Sequence, residues 1–108
     1  MKKINLGDYD KGLKVLSGVE LGGAARKAYK LDERDKQGEK VGIIVPDYIY
    51  SVNSSYFSAL FQKSLKTLGE KKFREQYIFE CDEIIRRNIE TGIFNIVHTT
   101  DDLSGDGA

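Results

Sequence analysis

The feature that most constrains the fold is the apolar run Val41-Gly42-Ile43-Ile44-Val45, which ends at Pro46. Four of its five residues are β-branched, and such residues favour an extended strand. Proline cannot donate a ladder hydrogen bond, so the strand is expected to end there. A strand without polar alternation is typical of a sheet that is covered on both faces. The run therefore predicts an α/β fold.

The clearest helix follows this strand after a short extended segment or loop, Asp47–Val52. Three consecutive residues that can cap a helix, Asn53-Ser54-Ser55, precede it, and Gly69 is positioned to end it. Its apolar residues recur at helical spacing, which predicts a broad buried face. They are Phe57, Leu60, Phe61, Leu65 and Leu68, with Ser64 among them.

The amino-terminal third predicts two short strands and a helix. Lys3–Leu6 and Leu13–Leu16 alternate in polarity and are separated by turn residues. Ser17 and Glu20 have the spacing of a capping box, so a helix is expected to start there. The apolar stripe of this helix is rich in alanine, which suits close packing on a sheet. The polar segment Leu31–Lys40 has the composition of an exposed connection.

The carboxyl-terminal third predicts a strand and a helix. After the charged turn Glu70–Lys72, residues 73–79 are weakly patterned as a strand. Isoleucines at three- and four-residue spacing predict a helix from Cys81 or Asp82 to about Val97, and a break with a short strand at 93–97 is the alternative. The order is β-β-α-β-α-β-α, an α/β sandwich with a small mixed sheet of about four strands, partly parallel.

Length and composition bound the class of protein. A chain of 108 residues has room for one domain, which we expect to span 1–98, with 99–108 as a flexible acidic tail. Seventeen basic and seventeen acidic residues give no net charge, which disfavours nucleic-acid binding. No apolar run approaches the roughly 20 residues of a membrane span, so a cytoplasmic protein without a membrane partner is expected.

The sequence offers no recognisable catalytic set. Gly18, Gly22 and Gly23 do not have the spacing of a phosphate-binding loop. Cys81 and His98 are the only cysteine and histidine, so they cannot form a zinc site and no motif supports a catalytic pair. We therefore expect no enzyme activity, no metal and no cofactor.

Three segments carry a resemblance to a known family. S-G-V-E-L-G-G-A-A-R-K, V-G-I-I-V-P-D-Y-I-Y-S-V-N-S-S-Y-F-S-A-L-F and L-G-E-K-K-F-R-E-Q-Y-I-F resemble the STAS-like domain family of uncharacterised bacterial proteins. The resemblance spans roughly residues 13–97. That family is similar to the STAS domains of anti-sigma-factor antagonists, in which the first serine of an Asp-Ser-Ser-Gly or Asp-Ser-Thr-Gly turn is phosphorylated by a partner kinase.

The resemblance implies a regulatory protein-interaction module whose partner is a histidine-kinase-like ATPase. The phosphorylated serine corresponds to Ser54, with Ser55 as a further possible acceptor. The chain departs from the antagonist turn at Asn53, where they have Asp, and at Tyr56, where they have Gly. The implied partner-binding residues are Asp47, Tyr48, Tyr50, Asn53, Ser54, Ser55 and Tyr56.

Two alternatives remain open. Ser54 could serve only as a helix N-cap, without modification. The chain could instead sense a small ligand or a nucleotide, with the glycines at 18–23 and the aromatic residues at 48–57 forming the site. Saturable thermal stabilisation by a ligand would distinguish that class from a protein-interaction module.

Overall fold

The computed structural model describes residues 1–9 and 12–107, with side chains as far as His98. Strands and helices alternate in pairs along most of the described chain, in the order β-β-α-α-β-β-α-α-β-α. The strands are β1 (Lys2–Asn5), β2 (Val15–Leu16), β3 (Val41–Ile44), β4 (Ser51–Val52) and β5 (Tyr77–Glu80). The helices are α1 (Val19–Ala28), α2 (Leu31–Gln37), α3 (Ser54–Leu68), α4 (Glu70–Gln76) and α5 (Glu83–Gly107).

Three strands form the main sheet, which is parallel and has the order β1-β3-β5. Ile4 is in register with Ile43, and Ile43 with Phe79, so one row of side chains crosses all three strands. Parallel pairing follows from the long connections, because each strand is reached through helices that return the chain to the same end. The α/β class and the buried strand at Val41–Ile44 are confirmed.

Helix α3 covers one face of this sheet. Phe61 packs against Tyr77 and Phe79 with ring centroids 5.1 and 5.7 Å apart. Phe61 and Tyr77 belong to the buried core, and Phe79 is partly buried against it. The opposite face carries Lys3 and Glu80, whose side chains are 53% and 39% exposed. β3 itself is largely covered on this side too, because Gly42 is buried beneath the Lys3 and Glu80 side chains and Ile44 is half-buried. The cover expected on both faces of β3 is therefore provided on this face by side chains of the neighbouring strands.

The two shortest strands, β2 and β4, form a separate parallel pair. Val15 is in register with Ser51, and Leu16 with Val52. The first two strands of the chain therefore belong to different sheets, and one mixed four-stranded sheet is not what forms. The structure contains parallel sheets of three and two strands instead.

Helix α1 starts where the sequence predicts but without the predicted cap. Its N-cap is Gly18, with φ of 97°, and no side chain caps the helix. The predicted capping box of Ser17 and Glu20 is therefore wrong, because Gly18 and not Ser17 occupies the cap position.

The small residues of α1 pack on α3 and not on the sheet. A Cβ atom at Gly22 would lie 2.4 Å from the carbonyl oxygen of Tyr56.

Two short helices replace segments predicted as turn, loop or strand. The segment predicted as an exposed connection forms α2, and residues 70–76 form α4, so β5 begins only at Tyr77. Each helix has a single buried hydrophobic residue, Leu31 in α2 and Phe73 in α4. One apolar residue produces no helical periodicity, so the sequence pattern could not reveal either helix.

A buried polar cluster joins α1, α2, α3 and β5. The Asp35 carboxylate accepts hydrogen bonds from Arg26 (2.8 Å), Ser64 (2.7 Å) and Tyr77 (2.5 Å). Arg26 also donates to Asp32 and to the Leu60 carbonyl. Burial and the Asp35 carboxylate raise the pKa of Tyr77. Because every polar group in the cluster is paired, the cluster is compatible with a buried position.

Helix α5 packs along α3 through Ile85, Ile89, Ile93 and Ile96, which are all buried. Residues 93–97 are helical, so the helix prediction is confirmed and the strand alternative is wrong. The helix backbone continues to Gly107. Side chains beyond His98 and the whole of Ala108 lie outside the described residues, so the flexible acidic tail stays a prediction.

Candidate functional site

The parallel pair β2–β4 places the starts of α1 and α3 side by side. The backbone N–H of Asn53 donates to the Leu16 carbonyl at 2.8 Å. Directly beyond it, the Gly18 N–H donates to the Ser55 hydroxyl at 3.1 Å. Both strands run straight into helices, so the two helix N-termini meet at one end of the molecule. Unpaired backbone N–H groups at these N-termini favour negative charge.

The start of α3 assigns different roles to three consecutive residues. Asn53 is the N-cap, and its side chain accepts a long hydrogen bond of 3.5 Å from the Ser55 N–H. Ser54 is the first helical residue and is exposed. Ser55 is half-buried, and its hydroxyl accepts a hydrogen bond from the Gly18 N–H. Asn53, and not Ser54, therefore occupies the N-cap position.

A fixed loop precedes this helix and displays two tyrosines. Ile49 is fully buried and its N–H donates to the Pro46 carbonyl at 3.0 Å, which closes a turn. On either side of this anchor, Tyr48 and Tyr50 are 48% and 62% exposed. The Tyr50 N–H donates to the Lys14 carbonyl at 2.9 Å, so the loop is tied to the strand beside it.

The exposed residues between positions 47 and 54 form a candidate contact surface, which we call the 47–54 surface. It consists of Asp47, Tyr48, Tyr50, Asn53 and Ser54, all exposed. Tyrosine is enriched in protein interfaces, since its ring buries a large area and its hydroxyl keeps a polar contact. The surface thus combines two aromatic side chains, one carboxylate and one free-standing hydroxyl.

Tyr56 does not belong to this surface. Its side chain is 1% exposed and lies in the core, where burial raises the pKa of its hydroxyl. The helical register explains the difference: Tyr56 and Phe57 are on the face of α3 that packs inward, while Ser54 is on the outer face. The prediction that Tyr56 contacts a partner is therefore corrected.

Several residues of the ligand-sensing alternative have structural roles, whereas Gly23, Tyr48 and Tyr50 are exposed. Gly22 provides the close approach of α1 to α3, and Gly18 has the positive φ that its cap position requires. Tyr56 and Phe57 are in the core. No observation favours a ligand site built from these residues.

Cys81 lies just before α5, and His98 lies within that helix. Cys81 directly precedes the helix, and partial burial raises the pKa of its thiol, which makes it a weaker nucleophile at neutral pH. His98 packs on Phe94 with ring centroids 3.9 Å apart. Seventeen residues of nearly continuous helix separate the two by roughly 25 Å, so they form no catalytic pair.

Asp82, at the start of α5, has a structural role. Asp82 Oδ1 accepts a hydrogen bond from the Ile85 N–H at 2.8 Å, so Asp82 caps α5. Within the part of the chain that the structure describes, no three His, Cys, Asp or Glu side chains are grouped as metal ligands. Within the same residues, no helix is long and apolar enough to cross a membrane.

Comparisons with protein-family models, with curated proteins and with solved structures find no match to this chain. The resemblance to STAS-like domains therefore rests on the sequence segments alone.

Proposed function

We propose that this chain is a non-catalytic regulatory module, with the STAS-like character that its sequence resembles, that binds a protein partner through the 47–54 surface. The partner is a histidine-kinase-like ATPase, and phosphorylation of Ser54 switches binding off. The observation that carries the proposal is the exposure of Ser54 at the start of α3, directly beside a fixed loop that presents Tyr48 and Tyr50.

The physical basis of the switch is the change in charge at Ser54. A phosphate adds about −1.5 to −2 charge and three acceptor oxygens. The start of α3 tolerates this charge, because the helix dipole stabilises anions there. A partner that packs on Tyr48 and Tyr50 would have to desolvate the phosphate, which opposes docking.

The choice of Ser54 over Ser55 rests on hydrogen bonding. The Ser55 hydroxyl accepts from Gly18 and is half-buried, so a kinase could reach it only after α1 separates from α3. The Ser54 side chain is exposed and makes no hydrogen bond within the described residues. Modification at Ser54 therefore needs no rearrangement of the fold.

The test replaces the two tyrosines and compares the result with a matched exposed pair. Tyr48→Ala/Tyr50→Ala is expected to abolish recovery of the ATPase partner in an affinity purification from the native host. Ile84→Ala/Phe94→Ala is the control, since those side chains are 63% and 60% exposed on α5 and do not belong to the 47–54 surface. Equal recovery with both variants would contradict the proposed surface.

A further inference from the structure

A pocket lies at the end of the main sheet opposite to the 47–54 surface. It is a pocket of about 350 Å³ formed by the end of α2, the residues before β3, the end of α3 and helix α4. Three lysines from three segments line it, Lys36, Lys40 and Lys72. Lys40 directly precedes β3, so this site is at the amino ends of the strands, whereas the 47–54 surface follows the carboxyl end of β3.

The three lysines have no neutralising partner in the structure. All three are exposed, and no described carboxylate lies within 4.0 Å of their ammonium groups. Asp35 also lines the pocket, but its carboxylate is occupied by the hydrogen bonds from Arg26, Ser64 and Tyr77. Glu75 is the remaining acidic residue of the lining, so positive charge is in excess.

The surroundings of the pocket reinforce this charge. Residues 26–40 and 63–76, which form the contacting ends of α1, α2, α3 and α4, carry eleven basic and six acidic side chains. The rest of the chain carries six basic and eleven acidic residues, so the neutral total conceals a strong segregation of charge. Such an excess of positive charge attracts anions to this end of the molecule.

The lining favours a small phosphate-bearing anion over a nucleic acid or a protein. It contains no aromatic side chain on which a base could stack, and Leu68 is its main apolar contact. Lysine ammonium groups act as flexible point charges that surround a phosphate without requiring planar geometry. The volume is at the small end of the range of ligand pockets, which run from about 300 to 1,000 Å³.

We propose that the pocket lined by Lys36, Lys40 and Lys72 binds a small anion that carries two or more phosphate groups. Three ammonium groups from separate segments can contact two phosphates at once, whereas a single phosphate leaves part of the charge unpaired. The site is independent of the proposed partner surface and shares no residue with it.

The test is isothermal titration calorimetry of the full chain with pyrophosphate, tripolyphosphate and orthophosphate at fixed ionic strength. We expect saturable binding of one pyrophosphate or tripolyphosphate per chain, and at least about tenfold weaker binding of orthophosphate. Lys36→Gln/Lys40→Gln/Lys72→Gln is expected to weaken pyrophosphate binding by at least about tenfold.

The control variant removes the same charge from a separate groove. Lys27→Gln/Lys30→Gln/Lys63→Gln changes three exposed lysines near the start of α2, and we expect less than about a threefold effect. Equal weakening in both triple variants would reduce the effect to general electrostatic attraction and overturn the site. Absence of saturable binding by the parent chain would do the same.

A second measurement does not depend on the variants. In amide NMR spectra of the parent chain, pyrophosphate is expected to shift resonances of Gly38, Lys40 and Lys72 first. Shifts confined to Gly18 and Ser54 would instead place the anion at the helix N-termini and contradict the lysine pocket.

Discussion

The backbone N–H of Gly18 donates to the hydroxyl of Ser55 at 3.1 Å, which joins the starts of α1 and α3 across 37 residues of chain. The hydroxyl one residue earlier, on Ser54, is exposed and takes no part in this contact. Two adjacent serines therefore have separate roles: Ser55 holds two helices together, and Ser54 is available to a modifying enzyme.

The contact between Gly18 and Ser55 can be tested by removing each serine hydroxyl in turn. Ser55→Ala leaves the Gly18 N–H without its partner, and we expect it to lower the free energy of unfolding by about 0.5–1.5 kcal/mol. Ser54→Ala is expected to change it by less than about 0.5 kcal/mol. Urea denaturation monitored by circular dichroism measures both, and equal effects would contradict the assignment of roles.

The close approach of α1 to α3 makes Gly22 intolerant of a side chain. A Cβ atom there would lie 2.4 Å from the Tyr56 carbonyl oxygen and 2.8 Å from the Ala59 Cβ, so the helices must separate. We expect Gly22→Ala to destabilise the fold by about 1–3 kcal/mol. Gly23→Ala has open space and is expected to stabilise by up to about 1 kcal/mol. Thermal melts of the two variants should shift in opposite directions.

The buried cluster predicts unequal effects at two aspartates that pair with the same arginine. Asp35→Asn leaves Arg26 with a reduced counter-charge in a buried setting, and we expect a loss of about 2–4 kcal/mol of unfolding free energy. Asp32→Asn, at the exposed partner, is expected to cost far less. Chemical denaturation measures both losses of unfolding free energy. A larger loss for Asp32→Asn than for Asp35→Asn would contradict the prediction that the buried Arg26–Asp35 pair contributes more to stability.

Alkaline pH is expected to destabilise the protein through two buried tyrosines. Burial raises the pKa of Tyr56 and Tyr77 above the ordinary value of 10.0. The folded state keeps both protons while the unfolded chain releases them, so stability is full below about pH 10 and falls as pH rises above it. Each tyrosine contributes up to about 1.4 kcal/mol per pH unit. Urea denaturation between pH 9 and 11 should show a shallower fall for Tyr56→Phe, and an unchanged slope would refute the prediction.

Long elements with a dense apolar face were predictable from sequence, and short ones were not. Helix α3 has six inward positions between a capping Asn53 and a terminating Gly69, so its bounds follow from local chemistry. Helices α2 and α4 each bury one hydrophobic residue, and tertiary contacts hold them in place. In α2 that contact is the Asp35 cluster, which needs residues from three other elements and has no local signature.

The site was predictable in outline only. The sequence placed the capping run Asn53-Ser54-Ser55 before a helix and an aromatic loop before that, and both are where it predicted. It could not separate Ser54 from Ser55, because the partner of Ser55 is Gly18 in a distant segment. The burial of Tyr56 follows from its helical register with Phe57 and Leu60, a signal that was present in the sequence.

The most direct test of the proposed function measures partner and modification together. The tagged chain is purified from its native host, its intact mass is recorded, and the affinity of the recovered partner is measured for the parent, Ser54→Ala and Ser54→Asp. We expect a histidine-kinase-like ATPase, a fraction of chain with one added phosphate on Ser54, and binding weakened by at least about tenfold in Ser54→Asp alone. An unmodified mass without such a partner, or a Ser54→Asp variant that binds as tightly as the parent, would contradict the switch.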